Sequence, residues 1–195
     1  MGAACPQSDL AHFKPFETES VMSYQTVNLR SAVSRLRVDP SDRSDVIDLV
    51  NRLNMAFDEW DLEAMIAAFT EDAVVHHPRG VVRGYDAFRK FYDDYRPITL
   101  GVRRHSLNHI VDAHDDGTLS VRHYMVLVRV APAERADDVR RADLTEDTTG
   151  LPALFMHSIV TDRFRKDPGH GWRIVEKRVD QTVVNAGLRP STSGG

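Results

Sequence analysis

Histidines and carboxylates are the side chains of this sequence suited to moving protons near neutral pH. There are nine histidines and 29 acidic residues in 195. An imidazole needs only a small environmental shift to serve as general base or acid there. His105, His123 and His157 fall in strand-like runs, and Asp162 stands in the run Thr161-Asp-Arg-Phe164. His76 and His77 are adjacent, and neighbours on a strand point to opposite faces. One of the two therefore lines an interior and the other meets solvent; His76 is taken as the pocket residue. Tyr85, Tyr92 and Tyr124 add hydroxyls that can donate to a ligand oxygen, although packing with a wet hydroxyl is the plainer role. No His-x-His or Glu-x-x-His spacing occurs, and the one cysteine is Cys5. That leaves no Cys-based zinc site and no internal disulfide, and no metal is expected. A Gly-x-Ser-x-Gly elbow and a glycine-rich phosphate loop are both missing, so neither a serine nucleophile nor a nucleotide cofactor is expected.

The elements that would position these groups follow from hydrophobic spacing. Val46, Leu49, Val50, Leu53, Phe57 and Trp60 lie at helical intervals on one face, so a helix is expected from about Ser44. Asp61 can cap a second, short helix carrying Leu62, Met65, Ile66 and Phe69. Short strands are expected at 73–77 and 81–83. A third helix follows Gly84, with Phe88, Phe91, Tyr92 and Tyr95 on one face, and Pro97 is expected to end it. Four longer strands come next, at 101–113, 119–130, 154–166 and 172–184. His114-Asp-Asp-Gly117 is a hairpin signal. Period two on the first of these strands puts His105, Leu107 and His109 on one face and Arg104, Ser106 and Asn108 on the other. Only a bulge would bring Asn108 to the His105 side. Residues 131–152 are polar and read as a long mobile excursion. Residues 1–42 lack periodicity and read as a flexible arm, and 188–195 as a loose terminus. Helices first and an antiparallel meander afterwards imply an α+β fold with a concave, half-apolar pocket.

Composition narrows the function. Twenty-five Lys+Arg against 29 Asp+Glu leave a net charge of −4, which argues against nucleic-acid binding by bulk positive charge. Hydrophobic residues make up 42% and charged residues 28%, an ordinary globular mix. No apolar run is long enough for a membrane span, and the first 30 residues lack an apolar leader segment. One cytoplasmic domain is the expectation.

Several stretches taken in order resemble a known family. They are Asn51-Arg-Leu-Asn-Met-Ala-Phe-Asp-Glu-Trp-Asp-Leu-Glu-Ala-Met65, Phe69-Thr-Glu-Asp-Ala-Val-Val75, Gly84-Tyr-Asp-Ala-Phe88, Arg103-Arg-His-Ser-Leu-Asn-His109, Thr161-Asp-Arg-Phe-Arg165 and Gly171-Trp-Arg-Ile-Val-Glu-Lys-Arg178. Over residues 43–187 the chain resembles the SnoaL-like branch of the nuclear-transport-factor-2-like superfamily. That resemblance implies a cone-shaped, strongly curved, mostly antiparallel sheet wrapped around three N-terminal helices. The superfamily holds scytalone dehydratase, polyketide cyclases, ketosteroid isomerase and ring-hydroxylase β subunits, and also binding modules without chemistry, so fold alone does not give function.

By the same resemblance, Asp58 at the end of the first helix pairs with His105. A carboxylate of that kind fixes the imidazole tautomer and makes the pair a general base. The implied activity is a cofactor-free lyase or isomerase acting on a small apolar cyclic substrate of polyketide, terpenoid or steroid type. Phe57, His76, Tyr92, Asn108, His123 and His157 would line the pocket, with Asp162 as a secondary acid or base. A non-catalytic binding module and a ring-hydroxylase-like interaction subunit are the alternatives. A homo-oligomer is expected, a dimer before a trimer, through apolar outward residues of the strands. Nucleic acid and membrane are not expected partners.

Overall fold

The computed structural model describes residues 37–141 and 143–190. The expectations for residues 1–36 of the arm and 191–195 of the terminus lie outside the described residues.

The first helix, α1, spans Pro40–Glu59, four residues ahead of the expected start. Asp39 is its N-cap, its carboxylate accepting from the Ser41 N–H, and Pro40 fills the first helical position, where a missing N–H costs nothing. The last residues assigned to the arm therefore belong to the domain. Asp42 accepts from Lys166 Nζ and from Trp172 Nε1 at 2.8 and 2.9 Å. Val46, Val50 and Leu53 form the buried stripe of α1. The helix stops at Trp60, whose φ of 57° is left-handed. Asp61 then caps α2, Leu62–Ala67, by accepting from the Ala64 N–H.

Strands β1 (Phe69–His77) and β2 (Gly80–Arg83) form a hairpin, and α3 covers Gly84–Thr99. Pro97 does not end α3 but sits in its last turn. The carbonyls left free there are collected by Arg129, whose guanidinium donates to Leu100 O and Ile98 O at 2.7 and 2.8 Å and stacks over the Phe155 ring. Four long strands follow: β3 (Val102–Ala113), β4 (Leu119–Arg129), β5 (Ala153–Asp167) and β6 (Gly171–Val184). Between β4 and β5, the segment read as an excursion carries a 3-10 turn at Ala133–Arg135 and a short helix, α4, at Ala136–Arg141. Arg140 of α4 reaches Glu59 Oε2 at 2.9 Å. Another 3-10 turn, Ala186–Leu188, follows β6.

The six strands make one open sheet in the order β2-β1-β6-β5-β4-β3, antiparallel except where β1 runs parallel to β6. The expected α+β class is the one observed. The inner face of the sheet packs on α1–α3 around Phe69, Phe88, Val121, Phe164 and Ile174, all buried. No helix among the described residues is long and apolar enough to cross a membrane.

Two irregularities set what faces inward. Gly101, at φ 70°, turns the chain from α3 into β3, and its carbonyl accepts the Val130 and Ala131 N–H groups. A bulge lies between Leu107 and Ile110 of β3, where Asn108 takes φ 57°. Asparagine tolerates that left-handed conformation better than most residues.

Candidate functional site

The interior between the helices and the sheet holds a cavity of about 70 Å³. Its walls are mainly apolar: Phe57, Val75, Phe91, Tyr92, Tyr95, Met125, Leu127, Met156, Val160 and Val179. Polar lining comes from Asn54, His77, Arg104, Ser158 and Lys177. Cross-strand register explains the grouping. Arg104 stands opposite Leu127 and Leu127 opposite Met156, while Ser106 stands opposite Met125 and Met125 opposite Ser158. Helix α1 contributes Asn54, which donates to Ser106 Oγ at 2.6 Å, and Phe57. Helix α3 contributes Phe91 and Tyr92 and, one helical turn on, Tyr95.

Two buried ion pairs frame the interior. Asp58 accepts from Arg104 twice, from Nη1 at 2.8 Å and from the backbone N–H at 3.0 Å, and both side chains are at most 5% exposed. The guanidinium also lies 4.7 Å from the Phe57 ring centre, and its Nη2 is buried without a hydrogen-bond partner among the described residues. Asp162, fully buried, accepts from Lys177 Nζ at 2.9 Å and lies 3.2 Å from His123 Nε2. Burial pushes the Asp162 carboxyl up, but the Lys177 charge and the His123 hydrogen bond together outweigh it and hold it below the usual range. The His109 ring stacks on His123 at 5.4 Å. Burial, then the neighbouring His123 and Arg43, depress the His109 pKa.

His77 meets Phe91 and Tyr95 edge-on at 5.1 and 5.4 Å. Burial first, then the Arg79 and Lys177 charges, push its pKa down to about 4. The ring is therefore neutral near pH 7. Its Nδ1 accepts from the Arg79 N–H at 3.2 Å, which leaves the proton on Nε2 as a donor. Burial raises the Tyr92 and Tyr95 hydroxyls, so both remain protonated donors.

Residues 39–178 match the SnoaL-like domain. The chain belongs to the SnoaL-like family. Solved structures agree on the fold. A protein of unknown function with a cystatin-like fold from Nostoc punctiforme is 20% identical over 78% of this chain and 98% of that one, at a TM-score of 0.59. Aln2 from a Streptomyces species is 17% identical over 74% and 94%, at 0.60. A Novosphingobium aromaticivorans protein provisionally named a scytalone dehydratase is 14% identical over 80% and 95%, at 0.55. At these identities the likeness is one of fold. The comparison with curated proteins found no match.

In this SnoaL-like chain the expected Asp58–His105 pair does not form. Val102 and Arg104 point inward, so His105 points out and is exposed. Both Asp58 oxygens are taken by Arg104, whose backbone N–H belongs to the edge strand and needs an acceptor. His157 is also on the outer face, 5.4 Å from the Tyr124 ring, and does not line the cavity. Asn108 is exposed on the bulge. The bulge separates His109 from His105 and turns its ring onto His123, against the period-two reading. Of the adjacent pair, His77 lines the cavity, while His76 lies across β6 at 3.2 Å from Glu176. Phe57 and Tyr92 line the cavity. His123 is buried, held against Asp162 rather than on the cavity wall. Asp162 is inside but committed to two partners. Arg104, Lys177, Asn54 and Ser158 were not singled out from the sequence, and of the adjacent histidines His76 was taken where His77 lines the cavity. The one signal for Arg104 was its place two residues after Val102 on a strand whose inward parity Val102 marks.

Proposed function

We propose that the chain binds a small, mostly apolar ring compound inside the domain, without a cofactor. The observation that carries this reading is the cavity itself: apolar walls from α1, α3 and four strands, with a few polar groups at fixed places. At about 70 Å³ it is smaller than the ~300–1,000 Å³ of developed ligand sites, so entry of a ring needs side chains to move. Met125 and Met156 supply that adaptability, because a thioether chain repacks cheaply. The test is a two-dimensional NMR titration of the protein with benzyl alcohol and isobutyl alcohol. Saturable shifts at the methyl groups of Met125, Met156 and Val160 support the reading, and Val160→Trp should abolish them by filling the space. Shifts confined to surface residues refute it.

A second reading, catalysis of proton transfer as the likeness to dehydratases and cyclases suggests, has one observation in its favour. Arg104, Lys177, His77 and the tyrosine hydroxyls line one cavity, and donors of this kind stabilise an oxygen that gains negative charge during reaction. Exchange of the α-protons of a small ketone in heavy water, faster than in buffer alone, supports it.

The outer face of the sheet carries Leu107, Tyr124, Leu154 and Val183, each more than 40% exposed. We propose that a second copy covers this patch. Arg122 and Arg178 flank it on one side and Asp180 and Asp112 lie beside them, so a two-fold arrangement can match unlike charges. Sedimentation of the wild type as a dimer and of Val183→Asp as a monomer supports it.

A further inference from the structure

Both buried ion pairs are oriented the same way. Arg104 and Lys177 line the cavity, whereas their carboxylate partners Asp58 and Asp162 do not, and among the described residues no acidic side chain lines it. The remaining polar lining consists of hydrogen-bond donors or groups able to donate: His77 Nε2, the Tyr92 and Tyr95 hydroxyls, Asn54 and Ser158. Arg104 is about 95% buried, and its Nη2 finds no acceptor among the described residues. A buried donor without an acceptor costs free energy unless a bound group supplies one. Asn54 and the hydroxyls can also accept, so the bias towards an acceptor on the ligand comes from Arg104, Lys177 and His77.

We propose that the ligand of this cavity carries an anionic oxygen, a carboxylate or a phenolate, on a compact apolar body, and that this oxygen is held by Arg104 with Lys177 and His77 as the neighbouring donors. The inference rests on the reading that the cavity binds ligand and adds the chemical class. Arg104 is the anchor because one edge of its guanidinium is spent on Asp58, which fixes the plane and leaves the other edge for a second acceptor. His77 contributes as a neutral donor, so the site gains a hydrogen bond without adding a third buried charge. The apolar body would lie against Phe57, Met125 and Val160.

The test compares matched probes by isothermal titration calorimetry at pH 7: benzoate against benzyl alcohol, and isobutyrate against isobutyl alcohol. One charge-assisted hydrogen bond predicts that each anion binds about 10- to 100-fold tighter than its neutral partner. Equal or weaker anion binding overturns the inference while the binding reading stands; failure of all four probes overturns both. The paired substitution Asp58→Asn with Arg104→Gln replaces the ion pair by two neutral amides. It should erase the anion preference, so that each anion binds no tighter than its matched alcohol; a preference that persists in a folded double variant overturns Arg104 as the anchor. Should that variant not fold, 4-nitrophenol gives a second readout on the wild type. Its bound phenolate is distinguished by absorbance, so the probe also separates phenolate from carboxylate recognition. A lowered apparent pKa on binding supports the proposal for phenolates. A raised one restricts it to carboxylates if benzoate is preferred, and overturns it if benzoate is not.

Discussion

His77 allows the interior's electrostatics to be tested without a ligand. Its pKa falls from 6.5 to about 4, with burial as the first cause. The unfolded chain therefore takes up a proton at this position before the native protein does. Stability attributable to His77 is intact above about pH 6.5, declines as the pH drops towards 4, and levels off below. The full shift corresponds to about 3 kcal/mol, and linkage places about 2 kcal/mol of that loss between pH 7.5 and pH 5. His76 and His109 are also depressed and lose stability in the same direction as the pH falls, so the contribution of His77 must be read as a difference. His77→Phe keeps the edge contacts with Phe91 and Tyr95 and gives up the hydrogen bond from the Arg79 N–H. The variant should be less stable than wild type at pH 7.5 by about 1 kcal/mol. Its further loss on going to pH 5 should be smaller by about 2 kcal/mol. Urea unfolding at a series of pH values measures both. Identical pH slopes in the two proteins, or an NMR titration of the His77 ring centred near 6.5, would refute the account of a buried neutral imidazole.

Three other outcomes follow from the same geometry. Asp58→Ala strips Arg104 of its buried acceptor and should destabilise the fold by about 3–5 kcal/mol in chemical denaturation, with Asp58→Asn costing less. Gly101→Ala places a Cβ 2.3 Å from the Ala131 carbonyl oxygen at a positive φ and should cost about 2 kcal/mol or more, or fail to fold. His105→Ala, on the exposed outer face, should leave stability within about 0.5 kcal/mol and probe binding unchanged; a loss of binding would return His105 to the site.

The helices and strands were legible because their apolar spacing is local. Val46, Val50 and Leu53 mark α1 with no help from the rest of the chain, and the hairpin after β3 is marked by His114-Asp-Asp-Gly117. The site was less legible because it depends on strand parity, which one residue can invert. Val74 and Val75 are both apolar, so alternation could not tell which of His76 and His77 faces inward. On β3 the ambiguity was greater. Arg103, Arg104 and His105 are all polar, and a buried arginine is the exception unless an acceptor is known. That acceptor, Asp58, lies 46 positions away, and nothing in the spacing distinguishes a carboxylate waiting for a histidine from one waiting for a guanidinium.

The two ion pairs also explain why the interior suits an anion better than a carboxylate base. A buried carboxylate serves as a base only when it is desolvated without a strong cationic partner, so that its pKa rises towards neutrality. Asp162 is desolvated, yet Lys177 and His123 pull it the other way and keep it ionised and occupied. Asp58 has both oxygens committed to one arginine. Each acid thus serves to hold its cation inside an apolar wall, where a lone arginine or lysine would be too costly to bury. The consequence is a cavity whose polar chemistry comes from the cations and the neutral donors beside them. Converting it to a base-bearing site would require removing the cation rather than adding a histidine. Lys177→Met would release one oxygen of Asp162 and remove the cation that most lowers its pKa, although His123 would still hold the other oxygen.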